Sequence, residues 1–292
     1  MAKTGAWIGV EIKPALFLLQ PRPAMDIVRA PIASCFVSLI HSQDEVIVNE
    51  EALFAYFDLS HGAFPFTREE CDRVMSRRQQ CGKLFIDELL HQVYEASGDE
   101  LYPPTSVDGF RNLLRAVDSS SMSRAQKASI PLYFFCHWYP HAAAFATADG
   151  ATEDEKQLRK FARAHNIAPH YANIVRAYFL LDKEQYESAV HLLADPRIIP
   201  DWSSKILATL AAAGIDETGH LILSYIRCAK PTISEPEDIY IYLGALARDN
   251  FMDAWLYQRS FVNQDARREC VRQILDTCLI RQCSTSRFIF RC

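Results

Sequence analysis

Residues 176–207 read RAYFLLDKEQYESAVHLLADPRIIPDWSSKIL, and their order of apolar, polar and proline residues describes a helical turnover. Phe179 and Leu180 close a helix that began near Pro169, a residue preset for a first helical position. Asp182 and Lys183 form the corner. Tyr186, Ala189, Val190, Leu192 and Leu193 then recur at helical spacing and pack back on the preceding helix, in the small-and-large pattern of tetratricopeptide units. Asp195-Pro196 ends the second helix. Pro200 keeps the link non-helical, because proline has no N–H to donate and its ring crowds the turn before it. Trp202 is a large apolar anchor at the next helix start, with Asp201 as its N-cap.

The same period extends outward from this turnover. It predicts helices over 152–165, 169–182, 183–194, 202–213, 217–228, 235–246, 251–261 and 265–280. Their links are short, so neighbouring helices run antiparallel. Helix pairs starting near Thr152, Lys183, Asp216 and Asn250 repeat every ~32–34 residues, in the range of helical-repeat proteins. An irregular helical bundle with equally short loops is the alternative. Thr67 with Glu70, Thr152 with Glu155 and Ser234 with Glu237 read as capping boxes, and Ser106 as a simpler N-cap. Gly82, Gly98 and Gly214 sit where helices stop or bend. Before about residue 45, Pro14, Pro21, Pro23 and Pro31 interrupt any helix. The expected fold is therefore all-α, a solenoid of antiparallel helix pairs over 49–292, preceded by an irregular or extended segment over 1–48.

Composition narrows the function. The chain has 292 residues, 49% hydrophobic and 23% charged, the balance of a globular protein. Ten glycines and 14 prolines are few for an all-β chain of this size. A net charge of -5 lacks the basic footprint of a nucleic-acid binder. The clusters Arg73, Arg77, Arg78 and Arg267, Arg268, Arg272 are diluted by carboxylates and read as solvated helix faces. Nine scattered cysteines without paired CxxC spacing favour a reducing compartment. The apolar stretches near Trp7 and over 32–40 are too short to span a bilayer.

Chemical motifs are scarce. Phosphate-loop, dinucleotide, nucleophile-elbow and zincin signatures are missing. Cys136, His137 and His141 are the best metal-ligand set, but Pro140 ends the helix between the histidines and no fourth ligand is evident. The competing reading is an aromatic helix end, residues 133–139, with its histidines at the surface. Cys71, Cys136, Cys228, Cys270 and Cys278 read as small core residues. Glu153, Asp154 and Glu155 complement a helix dipole at its start. Trp7, Trp138, Trp202 and Trp255, with Tyr240, Tyr242 and Tyr257, are either inter-helix core or interface anchors. Tyr240 and Tyr242, two apart on a helix, cannot share a face. The expectation is a non-enzyme with no catalytic, cofactor-binding or metal residues.

Five stretches carry a family resemblance: FPFT over 64–67, GKLFIDELL over 82–90, Tyr102-Pro103-Pro104, the opening stretch 176–207, and KPTISEPEDIYIYLGAL over 230–246. In order and spacing the chain resembles the ELYS-like family of nuclear-pore proteins in its short fungal form, over roughly residues 53–278. That resemblance implies a structural role in the nucleus, at the nuclear pore complex of the nuclear envelope. It implies docking on the long arm of the Y-shaped outer-ring subcomplex, beside a propeller-solenoid subunit and a β-propeller subunit, in support of pore assembly. Animal members add an N-terminal β-propeller and a basic chromatin-binding tail. Neither is expected here, so direct DNA or chromatin binding is not expected either, nor is a membrane span. The alternative is a helical-repeat adaptor of a vesicle coat or signalling complex.

Overall fold

The structure is a computed structural model that describes residues 54–60, 62–91, 93, 102–140, 152–233 and 235–289. The expected irregular segment 1–48, Gly98, His141 and Ser234 lie outside the described residues. Among the described residues there are twelve helices and no strands, so the all-α expectation holds. They fall into two compact units that meet at Asp201 and Trp202 in the chain.

The first unit contains α1 (Arg68–Cys81), α2 (Phe85–His91), α3 (Val107–Ser119), α4 (Arg124–Trp138), α5 (Glu153–Ala164), α6 (Pro169–Asp182) and α7 (Tyr186–Leu193). Its centre is α6, in which every residue from Ile174 to Asp182 is buried. Apart from Arg176 and Asp182 that stretch is apolar on every side, and such a helix must be surrounded. It is surrounded by α7, α4 and α2. Rings fill the space beside it. Phe110 meets Phe57 at 5.2 Å and Phe134 at 5.2 Å, and Tyr133 meets Phe179 at 5.3 Å. These edge-on contacts suit the ring quadrupole.

The turnover over 176–207 is present, with one shift. α7 starts at Tyr186 rather than at Lys183. Residues 183–185 are consumed in closing α6: Gln185 N–H donates to Leu180 C=O at 2.9 Å and Glu184 N–H to Leu181 C=O at 3.1 Å. This paired closure needs a left-handed residue after the helix. Glu184 supplies it with φ 60°, where glycine is the usual choice.

The second unit contains α8 (Ser203–Ala212), α9 (Ile215–Ala229), α10 (Pro236–Asp249), α11 (Phe251–Gln258) and α12 (Gln264–Ile289). Successive helices stack, and α10 packs against each of the other four. Gly214, at φ 103°, makes the tight link between α8 and α9. α12 runs well past the expected end at 280.

Caps account for several boundaries. Thr67, Ser106 and Thr152 each accept the backbone N–H three residues on. Ser123 with Gln126 forms a complete, reciprocal capping box at α4, which the sequence reading passed over. Two expected caps are corrected. α8 begins after Trp202, not Asp201, and has no side-chain cap. α10 begins at Pro236 with Glu235 before it, because proline needs no partner for an N–H it lacks.

Candidate interaction site

α1 has the polarity of a solvated helix and buries only Glu70 and Val74. Charged side chains hold it in place. The Arg78 guanidinium donates to both carboxylate oxygens of Asp87, at 3.0 and 2.6 Å, and to Tyr102 C=O at 3.0 Å. Arg77 pairs with Glu184 at 2.5 Å. Lys183 pairs with the buried Glu70, which also meets Arg73 at 3.2 Å. The expectation of a solvated basic face is therefore corrected for two residues. The side chains of Arg77 and Arg78 are only 14% and 13% exposed. Arg73, at 72%, remains in solvent.

Beneath α1, the Asp182 carboxylate ends α6 and starts α2. It accepts Phe85 N–H at 2.9 Å and Ile86 N–H at 3.1 Å, two donors that a helix start leaves without partners. It also accepts the Tyr133 hydroxyl at 2.8 Å. The Tyr102 hydroxyl lies 3.1 Å from His137 Nε2, and its ring meets Tyr133 edge-on at 6.2 Å. His137, Tyr102, Tyr133 and the carboxylate thus form a chain of polar groups, in which hydrogen bonds join His137 to Tyr102 and Tyr133 to Asp182. A cavity of about 360 Å³ opens beside this chain. Arg73, Arg77, Lys183, Glu70, Asp182 and Glu184 line it with three charges of each sign, over walls that include Leu84, Val74, Tyr102 and Tyr133.

Of the metal-ligand candidates, Cys136 and His137 lie among the described residues. Cys136 is fully buried and its thiol donates to Leu132 C=O at 3.5 Å. Burial pushes that thiol up to about 12, far from a thiolate nucleophile or ligand. His137 is not at the surface as expected, but packed against Phe66 at 4.6 Å and Phe179 at 4.9 Å. Burial, with Lys183 nearby, holds it well below the usual histidine range. Among the described residues no group of three His, Cys, Asp or Glu is placed to hold a metal ion. Nor, among them, is any helix long and apolar enough to cross a membrane.

The candidate anchors divide. Trp138 is half-buried: its indole donates to Asp58 C=O at 2.8 Å and packs on Phe57 at 4.9 Å. Tyr242 meets Tyr257 at 4.9 Å, and neither Tyr240 nor Tyr242 is fully exposed. Trp202 is half-buried and Trp7 lies outside the described residues. Trp255 stands apart. It stacks on Phe251 at 6.0 Å, on the outward side of α11. Phe251, Met252 and Leu256 are exposed there, while Ala254 and Gln258 face inward. Val262, just past the helix, is 90% exposed. Apolar rings and methionine of this kind characterise interface cores. The second arginine cluster is solvated as expected, with Arg268 and Arg272 paired locally to Asp265 and Glu269.

A model of the family described as ELYS, nuclear pore complex assembly, matches residues 83–289. The chain belongs to the ELYS family. The match takes in α2 to α12 and leaves α1 outside. Uncharacterized protein ely5 of Schizosaccharomyces pombe is 21% identical over 213 residues, and Protein ELYS of Homo sapiens 22% over 227. Protein ELYS of Xenopus laevis is 19% identical over 224 residues. Each match takes 72% of this chain. It covers 64% of ely5 and 9% of each vertebrate protein, so this chain spans less than two thirds of these relatives. Membership of ELYS places the chain at the nuclear pore complex of the nuclear envelope.

Proposed function

We propose that this chain is a non-catalytic scaffold component of the nuclear pore complex that docks on the long arm of the Y-shaped outer-ring subcomplex and supports pore assembly. Its partners there are the propeller-solenoid subunit and the β-propeller subunit of that arm. The observation that carries the reading is the ELYS family match over residues 83–289. The fold supports it in kind. Stacked antiparallel helices give extended surfaces, and stable assemblies bury large areas rather than small pockets. Cys136 and Cys270 are buried, and burial pushes both thiols up, which fits the packing role read for them, whereas Cys228 is exposed and not the core residue expected.

The test is reconstitution. The purified chain is mixed with the long-arm subunits at micromolar concentration and followed by size-exclusion chromatography with light scattering. A stable complex of defined stoichiometry is expected. A chain that elutes alone from every subunit of the arm overturns the docking assignment.

A further inference from the structure

Ser76 is exposed on α1, in the run Arg73-Val74-Met75-Ser76-Arg77-Arg78. We propose that Ser76 is a phosphorylation site, written by a basophilic protein kinase from ATP, and that Arg73 and Arg77 receive the phosphate.

Three observations converge on it. The first is recognition: an arginine three residues before the hydroxyl and two directly after it suit the acidic substrate groove of such a kinase. The second is reception. Ser76 lines the same cavity as Arg73, Arg77 and Lys183. Arg73 lies one helical turn back on the same side of α1 and is mostly in solvent. Arg77 Nε is buried without a hydrogen-bond partner, so the guanidinium has an unused donor. The third is access. A kinase draws its substrate into an extended form, and α1 gives up little apolar burial on leaving. It buries only Glu70 and Val74, whereas α6 is buried along its length. Elements with few buried apolar contacts open first.

The chemistry balances with ATP as donor. Ser76 Oγ bonds to the γ-phosphorus, the bond from that phosphorus to the bridging oxygen breaks, and ADP leaves. The hydroxyl proton passes to the kinase's base and on to solvent. The product carries a charge of about -1.5 to -2 and three strong acceptor oxygens. It competes with Glu184 for Arg77, and that pair is one of the links between α1 and the α6–α7 corner. Phosphorylation thus loosens α1 over the cavity.

The test uses the whole chain with the catalytic subunit of cyclic-AMP-dependent kinase and Mg-ATP, read by peptide-mapping mass spectrometry. Close to one phosphate per chain is expected at Ser76, and none at that position in Ser76→Ala. Arg73→Ala, an exposed change whose folding is checked by circular dichroism, lowers kcat/KM at Ser76 at least tenfold. Amide exchange over residues 68–81 rises in the phosphorylated chain. The proposal is overturned if Ser76 stays unmodified over a time that fully modifies a synthetic peptide of residues 68–82. It is equally overturned if labelling ignores Arg73→Ala, or if exchange over α1 does not rise.

Discussion

Asp182 is the residue on which most of the first unit's polar interior converges. One carboxylate accepts two backbone donors at the start of α2 and one phenol from α4, while sitting at the end of α6. Removing it leaves three buried donors without a partner, each worth about 1–3 kcal/mol when stranded. Asp182→Ala is expected to lower stability by about 3 kcal/mol or more in urea unfolding, and Tyr133→Phe by about 1 kcal/mol. A loss below about 0.5 kcal/mol for Asp182→Ala, the size of a neutral surface change, would refute the convergence. His137, hydrogen-bonded to Tyr102 at the other end of this chain of polar groups, gives a pH prediction. Burial, with Lys183 nearby, holds it below its ordinary value of 6.5. The unfolded chain therefore takes up a proton there before the folded one does. Stability from this group is complete above about pH 6.5 and falls as pH drops towards the folded value, by up to about 1.4 kcal/mol per pH unit. Urea midpoints measured between pH 7 and 5.5 should show that slope in the native chain, and His137→Gln should flatten it. Equal slopes in both proteins would show that the proton goes elsewhere.

The elements differ in what holds them, and this explains which were legible from sequence. The turnover over 176–207 could be read because its apolar residues recur at helical spacing and two prolines mark its end. Thr67, Ser106 and Thr152 announced helix starts because a short hydroxyl side chain directly before a helix has one economical use, accepting a free N–H. The start of α7 could not be read. Glu184 in a left-handed conformation has no sequence signature, since glycine or asparagine is the expected residue there. Asn166, at φ 52° after α5, is such an ordinary case. The charged cavity was illegible for a different reason. Its pairs Arg77–Glu184 and Lys183–Glu70 join residues more than a hundred positions apart, and an arginine run looks the same whether its partners lie in solvent or across the fold. The apolar outward face of α11 was signalled only by Trp255, because a helix of eight residues is too short for periodicity to separate its inner side from its outer.

From this contrast comes a prediction about α1. Ion pairs that face solvent on one side, as Arg73–Glu70 and Arg77–Glu184 do, weaken as salt shortens the range of electrostatic attraction, to about 3 Å at 1 M, while apolar packing does not. Amide exchange over residues 70–81 should therefore quicken several-fold between 50 mM and 1 M NaCl, with no matching change over residues 174–182. Equal salt response in both helices would mean that packing, not charge, secures α1.

At the scale of the whole molecule the question is what the charges leave for a polyanion. The chain carries 31 Lys and Arg against 36 Asp and Glu, and most arginines of its two clusters are paired with carboxylates of the same chain, whether buried or in solvent. Arg77 and Arg78 are committed to Glu184 and Asp87 with little exposure. Arg268 and Arg272 each have a carboxylate three residues back on the same side of α12. Binding to duplex DNA draws its affinity from phosphates that displace counterions at free cations, and non-specific binders reach dissociation constants of about 10⁻⁴–10⁻⁶ M at physiological salt. With these arginines paired to carboxylates and a net charge of -5, this chain should fall outside that range. Fluorescence anisotropy with a labelled 30-base-pair duplex, about three helical turns, is expected to show no saturable binding up to 100 µM, the weak end of that range, at 150 mM salt. Micromolar binding whose affinity drops steeply with salt would instead reveal a cationic surface that the paired arginines conceal. It would make chromatin a direct partner of this chain, alongside the protein surfaces that its membership of the ELYS family brings into play.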